Sequence, residues 1–290
     1  MIETNRYVDH LAGIIPIAGQ PLDLNMPWHD SLMPIHNNYH AIERAVHTAA
    51  TAGCNTIWIV MYRESQPIIR QKLGEWIYDP ESVWQNPYPW LQVKQVPIYY
   101  VSINALDRKR RDSLAWSCLY GAKAASRTCL KVSKWILPKR FLVISPYSIV
   151  PEKQIQQCRK LLRGKHDIAF RFEGSTFKDN NYAPFTFSDS VYKECSIHFR
   201  DKYSGNETKK TFADIFEPVN LDKYAKVDID WMYRIDDWDS YAKFISSEHN
   251  KLCKRPKYMV THKWFNFVKD TGEGLTEEQI AAIGTLEAPE

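Results

Sequence analysis

The first half of the chain alternates between short apolar runs and segments in which apolar residues recur every three or four positions. The short Ile- and Val-rich runs predict buried strands at 11–17, 56–60, 98–103 and 141–144. The helical spacing predicts helices at 38–52, 64–73, 112–128 and 151–162. Strands that alternate with helices in this way are typical of βαβ units. The pattern therefore predicts an α/β fold whose central sheet is mostly parallel and flanked by helices.

The pattern changes after residue 166. Short strands are predicted at 167–172, 183–187 and 196–199, and a late helix at 237–251, which makes the second half β-rich. The Trp- and Pro-rich stretch 80–97 is predicted to be irregular. No linker divides the chain clearly. We therefore expect one domain over residues 1–270 and a short acidic C-terminal tail over 271–290.

Composition narrows the class of protein. The chain has 290 residues, of which 44% are apolar and 25% charged, as in soluble globular proteins, and this excludes a disordered or collagen-like chain. Its longest apolar runs are too short to span a bilayer, so no membrane partner is expected. The polar segment 1–10 has no signal-peptide core, and the six cysteines show no C-x-x-C spacing. These features predict a cytoplasmic protein without a zinc or thioredoxin-type site.

Positive charge is concentrated in one segment. Residues 101–165 contain fifteen Lys and Arg against three acidic residues, a net of +12 in a chain whose total is +4, which leaves −8 elsewhere. The densest part is the run from Arg108 to Arg111. Such a run is either a solvated loop or an anion site, for a nucleotide phosphate or the backbone of a nucleic acid.

The order of several segments resembles a known family. IIPIAG at 14–19 and HDSLMPI at 29–35 are followed by the first helix, by Gly53 and by the strand TIWIV. RRDSLAW at 110–116, FLVI at 141–144 and YRIDDWDSYAKF at 233–244 continue the series. This order, over about residues 11–250, resembles the sugar-1-phosphate nucleotidyltransferases, whose nucleotide-diphospho-sugar fold is Rossmann-like and of GT-A type.

The resemblance implies transfer of a nucleotidyl group from a nucleoside triphosphate to a sugar phosphate, with Mg²⁺ as the cofactor. By position, the residues implied to contact the nucleotide are Ala18, Gly19, Gln20, Asp112 and Ser113. Asp236 is implied for catalysis, and Asp236 and Asp237 are implied for the metal. Arg110 and Arg111 precede the helix start that faces the nucleotide in the family, and they are expected to act in catalysis in place of cations that the family carries elsewhere. A nucleotide or nucleotide sugar and a sugar phosphate would then be the partners.

The sequence lacks several of the residues that the family uses for catalysis. Gly19 is followed by neither the second Gly nor the Arg of the family's phosphate loop. Asp30 stands at the position of the first catalytic Lys, and 145–148 lacks the first metal-binding Asp. Phosphoryl-type transfer depends on cations that neutralise developing charge, so these losses should remove most of the rate unless Arg108–Arg111 substitute.

Two other functions therefore remain open. The chain could be a catalytically inactive relative that serves as a binding or structural subunit. It could also be a glycosyltransferase that uses a nucleotide sugar, with 101–165 docking a nucleic-acid acceptor. Asp112 and Asp237 are each well placed to cap a helix, so a purely structural role is open for both. His29 beside Asp30 is an acid/base pair, a metal site or an ordinary surface contact.

Overall fold

The computed structural model describes residues 10–19, 22, 24–85, 93–110, 112–133, 136–202, 211–256 and 259, with the backbone alone at 109–110 and 201–202. Met1–Arg255 form one compact unit and Pro256–Glu290 a second. The acidic tail predicted at 271–290 lies outside the described residues. No helix in the described ranges is both long enough and apolar enough to cross a membrane.

Strands and helices alternate along the first half of the first unit. The strands are β1 Leu11–Pro16, β2 Pro34–His36, β3 Tyr39–His40, β4 Thr56–Met61, β5 Trp76–Tyr78, β6 Gln95–Ser102, β7 Arg140–Val143, β8 Ser148–Ile149, β9 Ile168–Arg171, β10 Phe185–Ser188, β11 Ala225–Asp228 and β12 Tyr233–Arg234. The helices are α1 Ala41–Thr51, α2 Gln66–Leu73, α3 Pro80–Gln85, α4 Ala105–Arg110, α5 Leu114–Val132, α6 Glu152–Gln157, α7 Arg159–Leu162, α8 Asp189–Lys202, α9 Phe212–Ile215 and α10 Trp238–Ile245.

Eight of these strands form the central sheet, in the order β11-β9-β10-β7-β1-β4-β6-β5. Strand β1 pairs in parallel with β4 on one side and β7 on the other, and β4 pairs in parallel with β6. Only β10 and β5 run antiparallel to their neighbours. The prediction of an α/β fold with a mostly parallel central sheet is therefore confirmed.

The centre of the sheet is buried on both faces, which explains its uninterrupted apolar runs. Every residue of β1 is buried, and α5 lies directly on β1 and β4. The approach is close at Gly121, where a β carbon would come within 2.8 Å of methyl carbons of both Ile14 and Val60. The long helix thus needs a residue without a side chain at this point.

Two ion pairs link segments of the fold that are distant in sequence. Arg140 donates to Asp167 at 2.9 Å and to the carbonyls of Leu162, Gly164 and Lys165. Its five donor hydrogens suit such a cluster of acceptors. This residue therefore ties the loop between α7 and β9 to the start of β7.

Glu152 forms the other pair at the start of α6. Its carboxylate accepts from His47 at 3.2 Å and from Thr48 at 3.0 Å, and it lies 3.7 Å from Arg44. Burial alone would raise the pKa of Glu152. The charges of His47 and Arg44 and the two hydrogen bonds outweigh it and lower the pKa to about 2.

Several local predictions are wrong. Residues 196–199 belong to helix α8, because Cys195 and Phe199 are buried four positions apart while Ile197 is 51% exposed. The alternation of S-I-H-F resembled a strand only by coincidence. The stretch 80–97 is also less irregular than predicted, since α3 begins it and β6 begins at Gln95.

Candidate functional site

The candidate site lies at the carboxyl ends of the parallel strands β1, β4 and β7. Ligands of open α/β sheets bind at this edge. The segment after β1, residues 17–24, is called the first loop below; its residues 20, 21 and 23 lie outside the described ranges. Contacts from β4, from the start of α5 and from a turn at Asp30–Leu32 determine its shape.

Backbone amides of the first loop donate to acceptors within the protein. The N–H groups of Ile17 and Ala18 both donate to the Val60 carbonyl, at 2.9 and 3.1 Å. The Gly19 N–H donates to the Tyr62 hydroxyl at 2.8 Å. These bonds hold the loop against the end of β4.

Gly19 also lies against the start of helix α5. Its φ of +79° lies in the left-handed region, and a β carbon there would come within 2.5 to 2.7 Å of backbone atoms of Ser113. Only glycine permits both the conformation and the approach. The first loop and the long helix therefore meet backbone to backbone.

Ser113, and not Asp112, is the N-cap of helix α5. The Ser113 hydroxyl accepts a hydrogen bond from the Trp116 amide at 3.1 Å. One turn later the Ser117 hydroxyl donates to the Ala18 carbonyl at 2.9 Å. The capping role predicted for Asp112 is thus wrong. The predicted nucleotide contacts Ala18, Gly19 and Ser113 lie together at this junction.

Asp112 instead accepts a hydrogen bond from the Tyr62 hydroxyl, which lies between Asp112 and the Gly19 amide. Burial raises the pKa of Tyr62, and the Asp112 carboxylate that accepts its proton raises it further. The Arg108 guanidinium lies 4.0 Å from the Tyr62 ring centroid and 2.9 Å from Glu64. Tyr62 is therefore contacted on its ring as well as at its hydroxyl.

His29 and Asp30 contact the first loop from the opposite side. The His29 ring accepts from the Ser31 amide at 3.2 Å and is hydrogen bonded to the Ile17 backbone. Burial lowers the pKa of His29, so the ring is neutral at pH 7. Burial raises the pKa of Asp30, although a hydrogen bond from the Leu22 amide partly offsets this effect. Both side chains thus position the loop.

Tyr147 lies behind these groups, just after β7. Burial raises its pKa well above the ordinary value, and the charges of Asp30, Tyr62 and Tyr182 add to this effect. Its carbonyl accepts from the Ile235 amide at 2.8 Å, which brings the end of β12 to the same edge. The site is therefore rich in tyrosine hydroxyls and carboxylates.

The two predicted metal ligands are engaged elsewhere. Asp236 forms an ion pair with Arg234 at 2.6 Å. Asp237 caps helix α10, where it accepts from the Ser240 amide at 2.8 Å, and this bond lowers the pKa of Asp237. The alternative explanation of Asp237 as a cap is confirmed. Among the described residues, no cluster of three or more His, Cys, Asp or Glu could hold a metal ion.

The predicted basic catalytic residues are only partly described. Arg110 ends helix α4, a separate element before α5, and its side chain is outside the described part of the chain. Arg111 and Gln20 lie outside the described residues altogether. The roles predicted for these three residues therefore remain predictions.

The basic segment 101–165 is not a uniform charged surface. Arg140 is buried in the ion pair with Asp167, and Arg159 makes two hydrogen bonds to Asp79 at 3.0 and 2.7 Å. Arg163 donates to the Gly53 carbonyl at 2.7 Å. Some of the counted charge thus stabilises the fold and is not available to an anionic partner.

Residues near the C-terminal end of the first unit close the outer side of the site. The Trp238 indole N–H donates to the Leu24 carbonyl at 3.0 Å, and the Tyr241 hydroxyl donates to the Pro34 carbonyl at 2.5 Å. Sequence reasoning missed these two residues and Tyr62. The position of Tyr62 directly after β4 was a usable signal, whereas nothing in the sequence pointed to Trp238 or Tyr241.

Comparison with solved structures gives the fold a name. The chain resembles a Bacillus anthracis protein provisionally named a glucose-1-phosphate thymidylyltransferase, in complex with a sucrose, with a TM-score of 0.59 at 10% identity; 86% of this chain and 98% of that chain are covered. It resembles a UDP-glucose pyrophosphorylase complexed with UDP-glucose, with a TM-score of 0.56 at 13% identity over 83% and 99% of the two chains.

A third match is 4-diphosphocytidyl-2C-methyl-D-erythritol synthase of Anaerococcus prevotii, with a TM-score of 0.50 at 11% identity over 81% and 94% of the chains. No family model and no curated protein matches the sequence. The chain therefore has a nucleotidyltransferase-like, nucleotide-diphospho-sugar fold. This likeness defines the class of fold, as the order of the sequence segments implied, and it does not define the reaction.

Proposed function

We propose that the chain binds a nucleotide or a nucleotide sugar at the carboxyl edge of β1, β4 and β7, as a diverged nucleotidyltransferase-like protein. The contact between Gly19 and Ser113 carries the proposal. It joins the first loop to the start of α5, the two segments that the resemblance assigns to the nucleotide. In this site the junction positions the ligand, and Arg110 and Arg111 contribute positive charge.

A sugar phosphate is the second substrate of this proposal, and Mg²⁺ its cofactor. Mg²⁺ is held in proteins by one or two carboxylates together with substrate phosphates. Asp236 would contribute its carboxylate after release from Arg234, whereas Asp237 is committed to the α10 N-terminus. The described side chains do not supply enough ligands to hold Mg²⁺ by themselves. They fit a metal ion that binds together with the nucleotide, whose phosphates supply the other ligands.

We also place the protein in the cytoplasm. All six cysteines are free thiols, and none is paired in a disulfide. Free, mostly buried thiols are typical of proteins that work in a reducing compartment. Microscopy of the tagged protein in its native cell, compared with a secreted control, would test this location.

The activity is tested by incubating the protein with Mg²⁺, each of the common nucleoside triphosphates and a panel of sugar 1-phosphates. Release of pyrophosphate above background, lost in Asp236→Asn and retained in the distant Asp222→Asn, would support transfer. Asp222 is a suitable control because it is an exposed residue whose carboxylate lies 3.7 Å from Lys226.

A second candidate is binding without transfer, as an inactive subunit. Asp30 favours it, because a carboxylate stands where the resemblance implies a catalytic lysine, and it accepts a hydrogen bond from the Leu22 amide. An anion beside a phosphate chain reverses the electrostatic stabilisation that transfer needs. Nucleotide binding without any pyrophosphate release across the panel would support this candidate and contradict the first.

A further inference from the structure

We propose that Tyr62, Asp112 and Asp30 are specificity-determining residues that exclude the phosphate chain of a nucleoside triphosphate from the first loop. The site then prefers nucleotides with a short phosphate chain. This inference rests on the proposed nucleotide site and specifies which ligands it takes. It favours the second candidate, binding without transfer, because transfer would need the triphosphate chain in the site. The family resemblance implies that this loop binds phosphate, so the inference names a difference between this chain and that family.

The described backbone N–H donors of the first loop already have acceptors within the protein. A loop cradles phosphate through backbone N–H groups that have no other acceptor. Here the described amides of Ile17 and Ala18 donate to a carbonyl, that of Gly19 to Tyr62, and that of Leu22 to Asp30. A phosphate oxygen could bond to them only by displacing a protein acceptor.

The space next to the Gly19 amide is occupied by protein atoms. The Tyr62 hydroxyl lies 2.8 Å from the Gly19 nitrogen and donates its own hydrogen to Asp112. Arg108 covers the Tyr62 ring, and the backbone of Ser113 lies against the α carbon of Gly19. The hydroxyl therefore occupies the position that a phosphate oxygen would need, and its neighbours hold it there.

Carboxyl groups lie on both sides of the first loop. Asp112 and Asp30 bring two carboxyl groups to the loop, one from each side. Arg108, the cation that contacts the Tyr62 ring, is already paired with Glu64. Each added phosphate would add negative charge next to these groups, so repulsion grows with the length of the phosphate chain.

The experiment measures binding of each nucleoside mono- and triphosphate by isothermal titration calorimetry, without and with Mg²⁺. The variants are Tyr62→Phe, Asp112→Asn, their double variant and Asp30→Asn. Tyr62→Phe keeps the ring beneath Arg108, and Asp30→Asn keeps an acceptor for Leu22, so both should fold. Tyr99→Phe is the matched control, because Tyr99 is a partly exposed tyrosine that stacks on Trp58.

We expect the wild-type protein to bind a monophosphate more tightly than the matching triphosphate. The double variant should bind the triphosphate at least about tenfold more tightly, the change produced by 1.4 kcal/mol, while the monophosphate affinity changes less than about threefold. Asp30→Asn should shift the preference in the same direction, and Tyr99→Phe should leave it unchanged.

Wild-type binding with no gain in triphosphate affinity in any of the variants would overturn the inference and leave the proposed site standing. A wild-type preference for the triphosphate would overturn it as well. If no nucleotide binds to any protein whose circular dichroism and melting temperature match the wild type, the proposed function fails together with the inference.

Discussion

Gly19 and Ser113 touch through their backbones, and a β carbon on residue 19 would come within 2.5 Å of the Ser113 nitrogen. We therefore expect Gly19→Ala to lower the free energy of unfolding by more than about 2 kcal/mol, because strain at a positive φ adds to a contact that cannot relax. Urea denaturation, followed by tryptophan fluorescence, measures this loss.

The matched control for this change is Gly174→Ala. Gly174 has nearly the same backbone angle, a φ of +81°, but nothing lies within 4 Å of the position that a β carbon would take there. We expect the control to lose only the strain energy, about 1 kcal/mol. Equal losses in the two variants would show that the contact with Ser113 carries no energetic weight.

The carboxylate of Glu152 should make the protein sensitive to acid. Its pKa is about 2 in the fold and near 4.5 in the unfolded chain, so its stabilisation is fully present above pH 4.5 and disappears as the pH falls towards 2. Glu152→Gln should cost about 3 kcal/mol at pH 7, because the buried Arg44 loses its counter-ion.

Denaturation curves at several pH values check this prediction. The stability of the wild type should fall more steeply between pH 4.5 and 2 than that of Glu152→Gln. Glu248→Gln is the control, since Glu248 is exposed and pairs with the exposed Lys251, and it should change stability by less than about 0.5 kcal/mol. Parallel pH curves for wild type and Glu152→Gln would refute the assignment.

Helix α5 should reject even a small side chain where it crosses the sheet. Alanine favours a helix over glycine by about 1 kcal/mol. At Gly121, however, the new methyl group would lie 2.8 Å from side-chain carbons of Ile14 and Val60, two β-branched residues that move little. We expect a net loss of about 1 to 2 kcal/mol in thermal or urea unfolding. A stabilised Gly121→Ala variant would mean that the helix shifts outward freely.

The hydroxyl of Ser117 should contribute to the same junction. Ser117 is fully buried, and its hydroxyl donates to the Ala18 carbonyl at 2.9 Å. Ser117→Ala removes that donor, so we expect a loss of about 1 kcal/mol and faster hydrogen exchange in the first loop. Ser246→Ala serves as the control, because its hydroxyl donates to the Ala242 and Lys243 carbonyls of its own helix. Unchanged exchange at residues 17–19 would contradict the prediction.

The elements that were predicted best from the sequence are the strands that are buried along nearly their whole length. Strands β1, β4 and β7 lie in the middle of the sheet, so nearly every residue is apolar and the run is easy to recognise. Helix α8 was missed because only one stripe of it is buried, and its short S-I-H-F segment matches both periods. Short elements such as β5 offer too few residues for any period to show.

The site was predictable only where a local motif or the order of the segments marks it. Gly19 and Ser113 follow from that order. The bond between Tyr62 and Asp112 does not, because it depends on the packing of α5 against β4, which brings residues fifty positions apart into contact. Charge counted along the chain was misleading for the same reason, since Arg140 and Arg159 are paired within the fold.

The hydrogen bonds that hold the outer edge of the site join residues far apart in the sequence, and this affects the order in which the protein folds during synthesis. Leu24 and Pro34 obtain their partners from Trp238 and Tyr241, which are 214 and 207 positions further along the chain. At a synthesis rate of about 5–20 residues per second, these loops leave the ribosome some ten seconds or more before their partners do. The sheet strands around β1 can pair during that interval. This edge of the candidate site is therefore completed last, after almost all of the first unit has been translated.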